Sequence, residues 1–159
     1  MPLLINGVIC EDQWSFIEVP EDSQALVTKL NQENQRSVYP IAFYLANRDT
    51  IKVDAANIGI LVTGDDELSE LNDILQDVSL IAIDFPVLRD GRGFSIARNV
   101  TRRGFTGEVR AIGDVSYDRL DNMQRSGFNA YQVSDENYTS DAIKAFTEIS
   151  VNYQPTHQR

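Results

Sequence analysis

The residues best suited to chemistry form a charged glycine segment, Asp90-Gly91-Arg92-Gly93. Its two glycines allow unusual backbone angles or a close approach to a ligand. A helix is predicted to begin just after it, at Phe94 or Ser95, so the segment would present free amide groups with the positive end of the helix dipole. With Arg92 and Arg89 beside it, the segment fits an anion site. It fits equally well a tight turn that Asp90 caps and Arg92 closes with an ion pair.

Arginine is concentrated around this segment. The chain has 14 basic and 24 acidic residues and a formal net charge of −10, but between Arg89 and Arg125 there are 8 arginines and 5 acids, which leaves +3. The planar guanidinium group binds carboxylates, phosphates and sulfur oxyanions through paired hydrogen bonds. Ion pairing with nearby acids is the alternative use of the same side chains. The arginines are Arg89, Arg92, Arg98, Arg102, Arg103, Arg110, Arg119 and Arg125.

Several functional classes are disfavoured by composition. One cysteine and one histidine argue against iron–sulfur and zinc sites, and no metal site is predicted. Ile96 occupies the third-glycine position of a dinucleotide fingerprint, which disfavours a Rossmann-type nucleotide site. The acidic balance disfavours nucleic acid, and no apolar run reaches the ~20 residues of a membrane helix. Carboxylate chemistry stays open: the candidate bases or magnesium ligands are Asp84, Asp90, Asp114 and Asp118, with helix capping as the alternative.

Apolar periodicity predicts the elements that position these residues. Strands are predicted at Ile58–Val62, Ser79–Phe85, Glu108–Ile112 and Phe128–Val133, with helices between them and a last helix through Ala142, Phe146 and Ile149. The predicted fold is an α/β domain with a mainly parallel sheet of βαβ units, flanking helices and N-terminal strands at the sheet edge. Leu3–Ile9 and Trp14–Val19 are predicted to form those strands, as a hairpin.

The predicted organisation is one domain over residues 1–159. Residues 1–56 would contribute edge strands and loops, 57–151 regular β/α units, and 152–159 a frayed tail. The carboxyl ends of parallel strands share one rim, where ligands bind in such sheets. Asp84, Asp114 and Asp118 are therefore expected on the same rim as the glycine segment.

The block from Ile83 to Val133 resembles a family of uncharacterised bacterial proteins that are associated with sulfite reduction and described as oxidoreductases. The resemblance covers about a third of the chain, and no catalytic residue carries over from it. Ser126 stands where many relatives have cysteine, and Arg119 where many have glutamine, so a thiol role at position 126 would be lost here. The residues that carry the resemblance are Phe85-Pro86, Asp90-Gly91-Arg92-Gly93-Phe94-Ser95, Ala97-Arg98, Gly107-Glu108, Arg110-Ala111-Ile112-Gly113-Asp114-Val115, Asp118 and Arg125-Ser126-Gly127-Phe128.

The resemblance implies a cytoplasmic accessory protein or oxidoreductase of sulfate assimilation, acting beside sulfite reductase or another sulfur-assimilation protein. A single cysteine, Cys10, fits a reducing compartment. The alternative is a non-catalytic module that binds the reductase or an anionic metabolite. The cofactor and the oligomeric state are left open. The candidate anion-binding residues are Arg89, Asp90, Gly91, Arg92, Gly93, Ser95, Arg98, Arg110, Asp114 and Asp118.

Overall fold

The N-terminal hairpin is shorter than expected. The computed structural model describes residues 3–6, 8–85, 91–115 and 120–132. Strands β1 (Leu3–Ile5) and β2 (Val8–Cys10) pair antiparallel around Asn6, whose φ of 51° is left-handed. The prediction that Leu3–Ile9 pairs with Trp14–Val19 is therefore wrong. Asparagine tolerates positive φ better than most residues, which allows the reversal to fall inside the first apolar run.

Six parallel strands follow in chain order, with a helix between each consecutive pair. The strands are β3 (Ser15–Phe16), β4 (Ser37–Pro40), β5 (Ile58–Val62), β6 (Leu80–Phe85), β7 (Glu108–Gly113) and β8 (Ala130–Gln132). The helices are α1 (Ser23–Glu33), α2 (Ile41–Ala46), α3 (Leu68–Asn72), α4 (Arg92–Arg102) and α5 (Leu120–Ser126), and a 3₁₀ turn at Ala55–Asn57 precedes β5. The last predicted helix and the tail lie outside the described residues.

The strands form one eight-stranded sheet in the order β2-β1-β8-β7-β6-β5-β4-β3. The sheet is mixed rather than mainly parallel, because β1 runs antiparallel to both β2 and β8. The expected edge position of the N-terminal strands is confirmed for β2 and β3. From β3 to β8, neighbours in the sheet are also neighbours in the chain. This part of the sheet thus lacks the reversal of strand order that creates the binding crevice of doubly wound folds.

The sheet must curl. Its edge strands β2 and β3 are separated by four residues in the chain, from Cys10 to Ser15, a stretch that spans at most about 18 Å. Eight strands laid flat would place their edges about 34 Å apart. The short connection therefore holds the two edges of the sheet close together, with the strands between them bowed.

The two faces of the sheet have different partners. Alternate strand residues such as Ile60, Ile83 and Ala111 pack with helix residues into the main core. The opposite face, called the inner face, carries a smaller cluster of Val38, Leu80 and Ala82, covered by Trp14 and Leu61. Trp14 comes from the β2–β3 connection, and its ring would lie 3.2 Å from a Cβ atom placed on Gly59. The β2–β3 connection therefore crosses the inner face and covers the part of it around Gly59 and Leu80, near the amino ends of β5 and β6.

None of the helices among the described residues has the length and hydrophobicity that a membrane span requires.

Candidate functional site

Helix α4 begins at Arg92, earlier than the predicted Phe94 or Ser95. Gly91 occupies the N-cap position with an ordinary φ of −74°, and no side chain caps the helix there. A Cβ atom on Gly93 would lie 2.5 Å from the ring of Phe85. Gly93 is therefore needed for close packing of α4 on β6, which is a different role from backbone approach to a ligand. Arg89 and Asp90 lie outside the described residues, as does Asp118.

Arg92 forms an ion pair at the rim of the sheet. Its Nη1 atom lies 2.6 Å from Oδ1 of Asp65, and the side chain crosses Gly64, where a Cβ atom would lie 2.8 Å from the Cβ of Arg92. The pair joins the start of α4 to the turn after β5. Both side chains are mostly exposed, so the pair contributes at most about 1 kcal/mol to stability.

Arg110 lies on the inner face of the sheet and is fully buried. Its Nε donates to Oε2 of Glu108 at 2.7 Å, and its Nη1 donates to Oδ2 of Asp12 at 3.0 Å. Glu108 and Arg110 share one face of β7 because side chains alternate along a strand. Asp12 comes from the β2–β3 connection. Arg110 therefore binds that connection to the sheet and lies apart from the arginines of α4.

Arg98 contacts two hydroxyl groups at the seam between α4 and α5. Its Nη2 lies 3.4 Å from Oγ of Ser95, and its Nη1 lies 3.4 Å from Oγ of Ser126. The Ser126 hydroxyl donates to the carbonyl of Asn122, so it accepts from Arg98. Among the described residues, no carboxylate pairs with Arg98. These three side chains are called the Arg98 cluster.

Three further arginines of this region lie in the described part of the chain, and one of them, Arg103, caps the C-terminal end of α4. Arg125 pairs with Asp121 at 2.6 Å, one turn earlier on α5. Arg102 lies one turn after Arg98 on α4 and is exposed, and it too lacks a carboxylate partner within the part of the chain that the structure describes. Helix α4 therefore presents an exposed pair of basic side chains on a protein whose overall charge is −10.

The carboxyl ends of β6 and β7 bring Asp84 and Asp114 to adjacent positions. Asp84 is partly buried, and burial raises the pKa of its carboxyl group above the ordinary range. The Asp114 amide donates to the carbonyl of Phe85 at 2.7 Å, which extends the pairing of β6 and β7. Between them, Gly113 has a φ of +89°. The described residues contain no group of three or more histidine, cysteine, aspartate or glutamate side chains that could hold a metal ion.

The fold and the site define an α/β protein with a curled mixed sheet and an arginine–serine cluster on its helical surface. Residues 59–159 match the family described as "Bacterial protein of unknown function (DUF934)". The chain belongs to this family, which covers more than half of its length. This agrees with the uncharacterised bacterial family that the residue pattern indicated.

Comparison with other proteins adds little about function. No curated protein matches the chain. A similar solved structure is thiamine phosphate pyrophosphorylase from Pyrococcus furiosus, with 14% sequence identity, coverage of 91% of this chain and 83% of that chain, and a TM-score of 0.41. A likeness at this level carries no argument about activity.

Proposed function

We propose that this protein is a cytoplasmic accessory protein of bacterial sulfite reduction that holds a small oxyanion, such as sulfite, at the Arg98 cluster. The observation that carries the proposal is the environment of Arg98. Its guanidinium group contacts two neutral hydroxyls and, among the described residues, no carboxylate. The sequence pattern that resembles sulfite-reduction proteins supplies the class of anion.

The chemistry of the cluster supports an oxyanion ligand. A guanidinium group offers several N–H donors in one plane, which match the oxygens of a trigonal or tetrahedral anion. The Ser95 hydroxyl can rotate to donate as well. Arg92 is held by one carboxylate, and the fully buried Arg110 by two, so the exposed Arg98 is better placed than either to bind an added anion.

The second candidate is a non-catalytic module that binds sulfite reductase itself. The exposed side chains of Arg98 and Arg102 favour this candidate, because basic residues one turn apart on a helix suit an acidic patch on a partner. The two candidates differ in the role of Arg102. A small anion at the cluster needs Arg98 alone, whereas docking through the exposed side of α4 uses both arginines.

Sulfite is expected to raise the melting temperature of the wild type by several degrees at a concentration of about 100 Kd, which corresponds to about 2.7 kcal/mol of linkage. Arg98→Ala is expected to abolish this shift. Arg102→Ala, a matched control one turn away, is expected to retain it. Thermal unfolding with sodium sulfite, sodium sulfate and sodium chloride at equal ionic strength measures the effect.

Equal stabilisation of wild type and Arg98→Ala by sulfite would contradict the anion site. If no oxyanion stabilises the wild type, while purified sulfite reductase binds it and loses affinity in both variants, the docking module is the correct function.

A further inference from the structure

An open cavity of about 380 Å³ lies at the amino ends of β5 and β6. Its described lining comes from the end of α2, from the segment between α2 and β5, and from the turn before β6. The volume is in the range of sites that hold small molecules. The cavity between Tyr44, Asp77 and the segment from Arg48 to Ile58 is called the amino-end pocket.

The segment between α2 and β5 is held in place by asparagines from the end of α1. The Asn31 amide group donates to the carbonyl of Thr50 at 2.9 Å, and its Oδ1 accepts from the backbone amide of Lys52 at 2.7 Å. Oδ1 of Asn34 accepts from the backbone amide of Asp54 at 3.0 Å. These contacts fix the backbone at three points along the segment. The pocket is therefore formed before a ligand arrives, which lowers the cost of ordering on binding.

The pocket has an apolar floor and a polar wall. Ile51, Val53 and Ile58 line it and are buried in the main core. In the wall, Nη2 of Arg48 lies 2.6 Å from Oδ2 of Asp77, so these two charges compensate each other. The floor favours contact with a hydrocarbon group, because such contact removes apolar surface from water.

Tyr44 adds a phenol group to the polar wall. Its side chain is buried, and its ring stacks on that of Tyr39 with 6.5 Å between the centroids. Burial, and then the nearby Asp77 carboxylate, raises the pKa of the Tyr44 hydroxyl above its ordinary value. The hydroxyl is therefore protonated at neutral pH and can donate a hydrogen bond.

Two opposite charges of the lining have no ion-pair partner in the part of the chain that the structure describes. They are the carboxylate of Asp49 and the ammonium group of Lys52, which are both exposed and do not pair with each other. A simple anion or a simple cation would meet one like charge here. A zwitterion with a hydrocarbon group would meet an opposite charge at each end and the apolar floor between them.

We propose that the amino-end pocket binds a free amino acid with an apolar side chain. Its carboxylate pairs with Lys52, its ammonium group pairs with Asp49, and its side chain packs on Ile51, Val53 and Ile58. The pocket shares no described residue with the Arg98 cluster, and its ligand belongs to a different chemical class. The proposal is therefore independent of the proposed function.

The probe is L-leucine, in a titration of the ¹⁵N-labelled full chain followed through the amide shifts of Ile51 and Val53. Saturable shifts are expected in the wild type. Affinity is expected to fall about tenfold in Lys52→Gln and in Asp49→Asn, because each variant loses one charge-assisted contact. The matched control is Lys29→Gln, which removes an exposed lysine of α1 outside the pocket lining and is expected to bind like wild type.

Three analogues each lack one feature of the probe. Sodium isocaproate lacks the ammonium group, L-leucinamide lacks the carboxylate, and glycine lacks the hydrocarbon. Each is expected to bind at least about tenfold more weakly than L-leucine. The proposal is overturned if L-leucine gives linear shifts without saturation, if both pocket variants keep wild-type affinity, or if any of the three analogues binds as tightly as L-leucine.

Discussion

Replacing Arg110 with methionine is expected to lower the free energy of unfolding by about 3–5 kcal/mol. Methionine fills a similar length of the buried site, so the loss comes mainly from charge. The substitution leaves the Glu108 and Asp12 carboxylates close together on the inner face with no cation between them. Urea denaturation followed by the fluorescence of Trp14, the single tryptophan, measures the change in unfolding free energy beside the site.

The controls for this prediction separate charge from volume. Adding Asp12→Asn and Glu108→Gln to Arg110→Met removes the uncompensated carboxylates and is expected to recover most of the lost stability. Arg102→Met removes an exposed arginine and is expected to change the unfolding free energy by no more than about 0.5 kcal/mol. A loss below about 1 kcal/mol for Arg110→Met alone would show that the buried ion pairs contribute little.

Gly113→Ala is expected to cost roughly 2–4 kcal/mol of unfolding free energy, the sum of two effects. Gly113 has a φ of +89°, a region that strains any residue with a Cβ atom. The added atom would also collide with the Phe85 carbonyl oxygen, a backbone atom that cannot move without disturbing the β6–β7 pairing. Thermal unfolding measures the loss.

Gly91→Ala is the matched control for this substitution. Gly91 has a φ of −74°, and a Cβ atom there would meet nothing within 4 Å. Alanine at such a position is expected to leave stability unchanged or raise it by up to about 1 kcal/mol, because it restricts the unfolded chain. Equal losses at positions 91 and 113 would contradict the role assigned to the backbone angle.

The regular part of the fold was predictable from local pattern. Ile58–Val62 forms β5 with the bounds that its apolar run indicates, and β6 begins one residue after the predicted Ser79. The spacing of the leucines continues to Leu75, but helix α3 ends at Asn72, and turns follow from Asp73. The antiparallel placement of β1 beside β8 could not be predicted, since it depends on contacts between opposite ends of the described chain.

The site was predictable only in part, for a reason that two arginines illustrate. Arg98 and Ser95 lie three residues apart on one helix, so their proximity follows from the helical repeat. Arg110 and Asp12 are brought together by the crossing of the β2–β3 connection over the inner face, which no local pattern encodes. The signal available for Arg110 was its place between the apolar residues Val109 and Ala111, two residues after Glu108 on the same face of the strand, which is typical of a buried, paired charge.

The pairing of β1 with β8 also constrains the order of events during synthesis. Leu3 pairs with Gln132, so β1 finds its partner only after the residues through β8 have left the ribosome. Until then β2 and β1 are an isolated hairpin, which is marginally stable on its own in water. The units from β3 to β7 can pair with their neighbours as they emerge, so the sheet is completed last, when β8 pairs with the first described strand, β1. Such long-range pairing is typical of a slow final folding step.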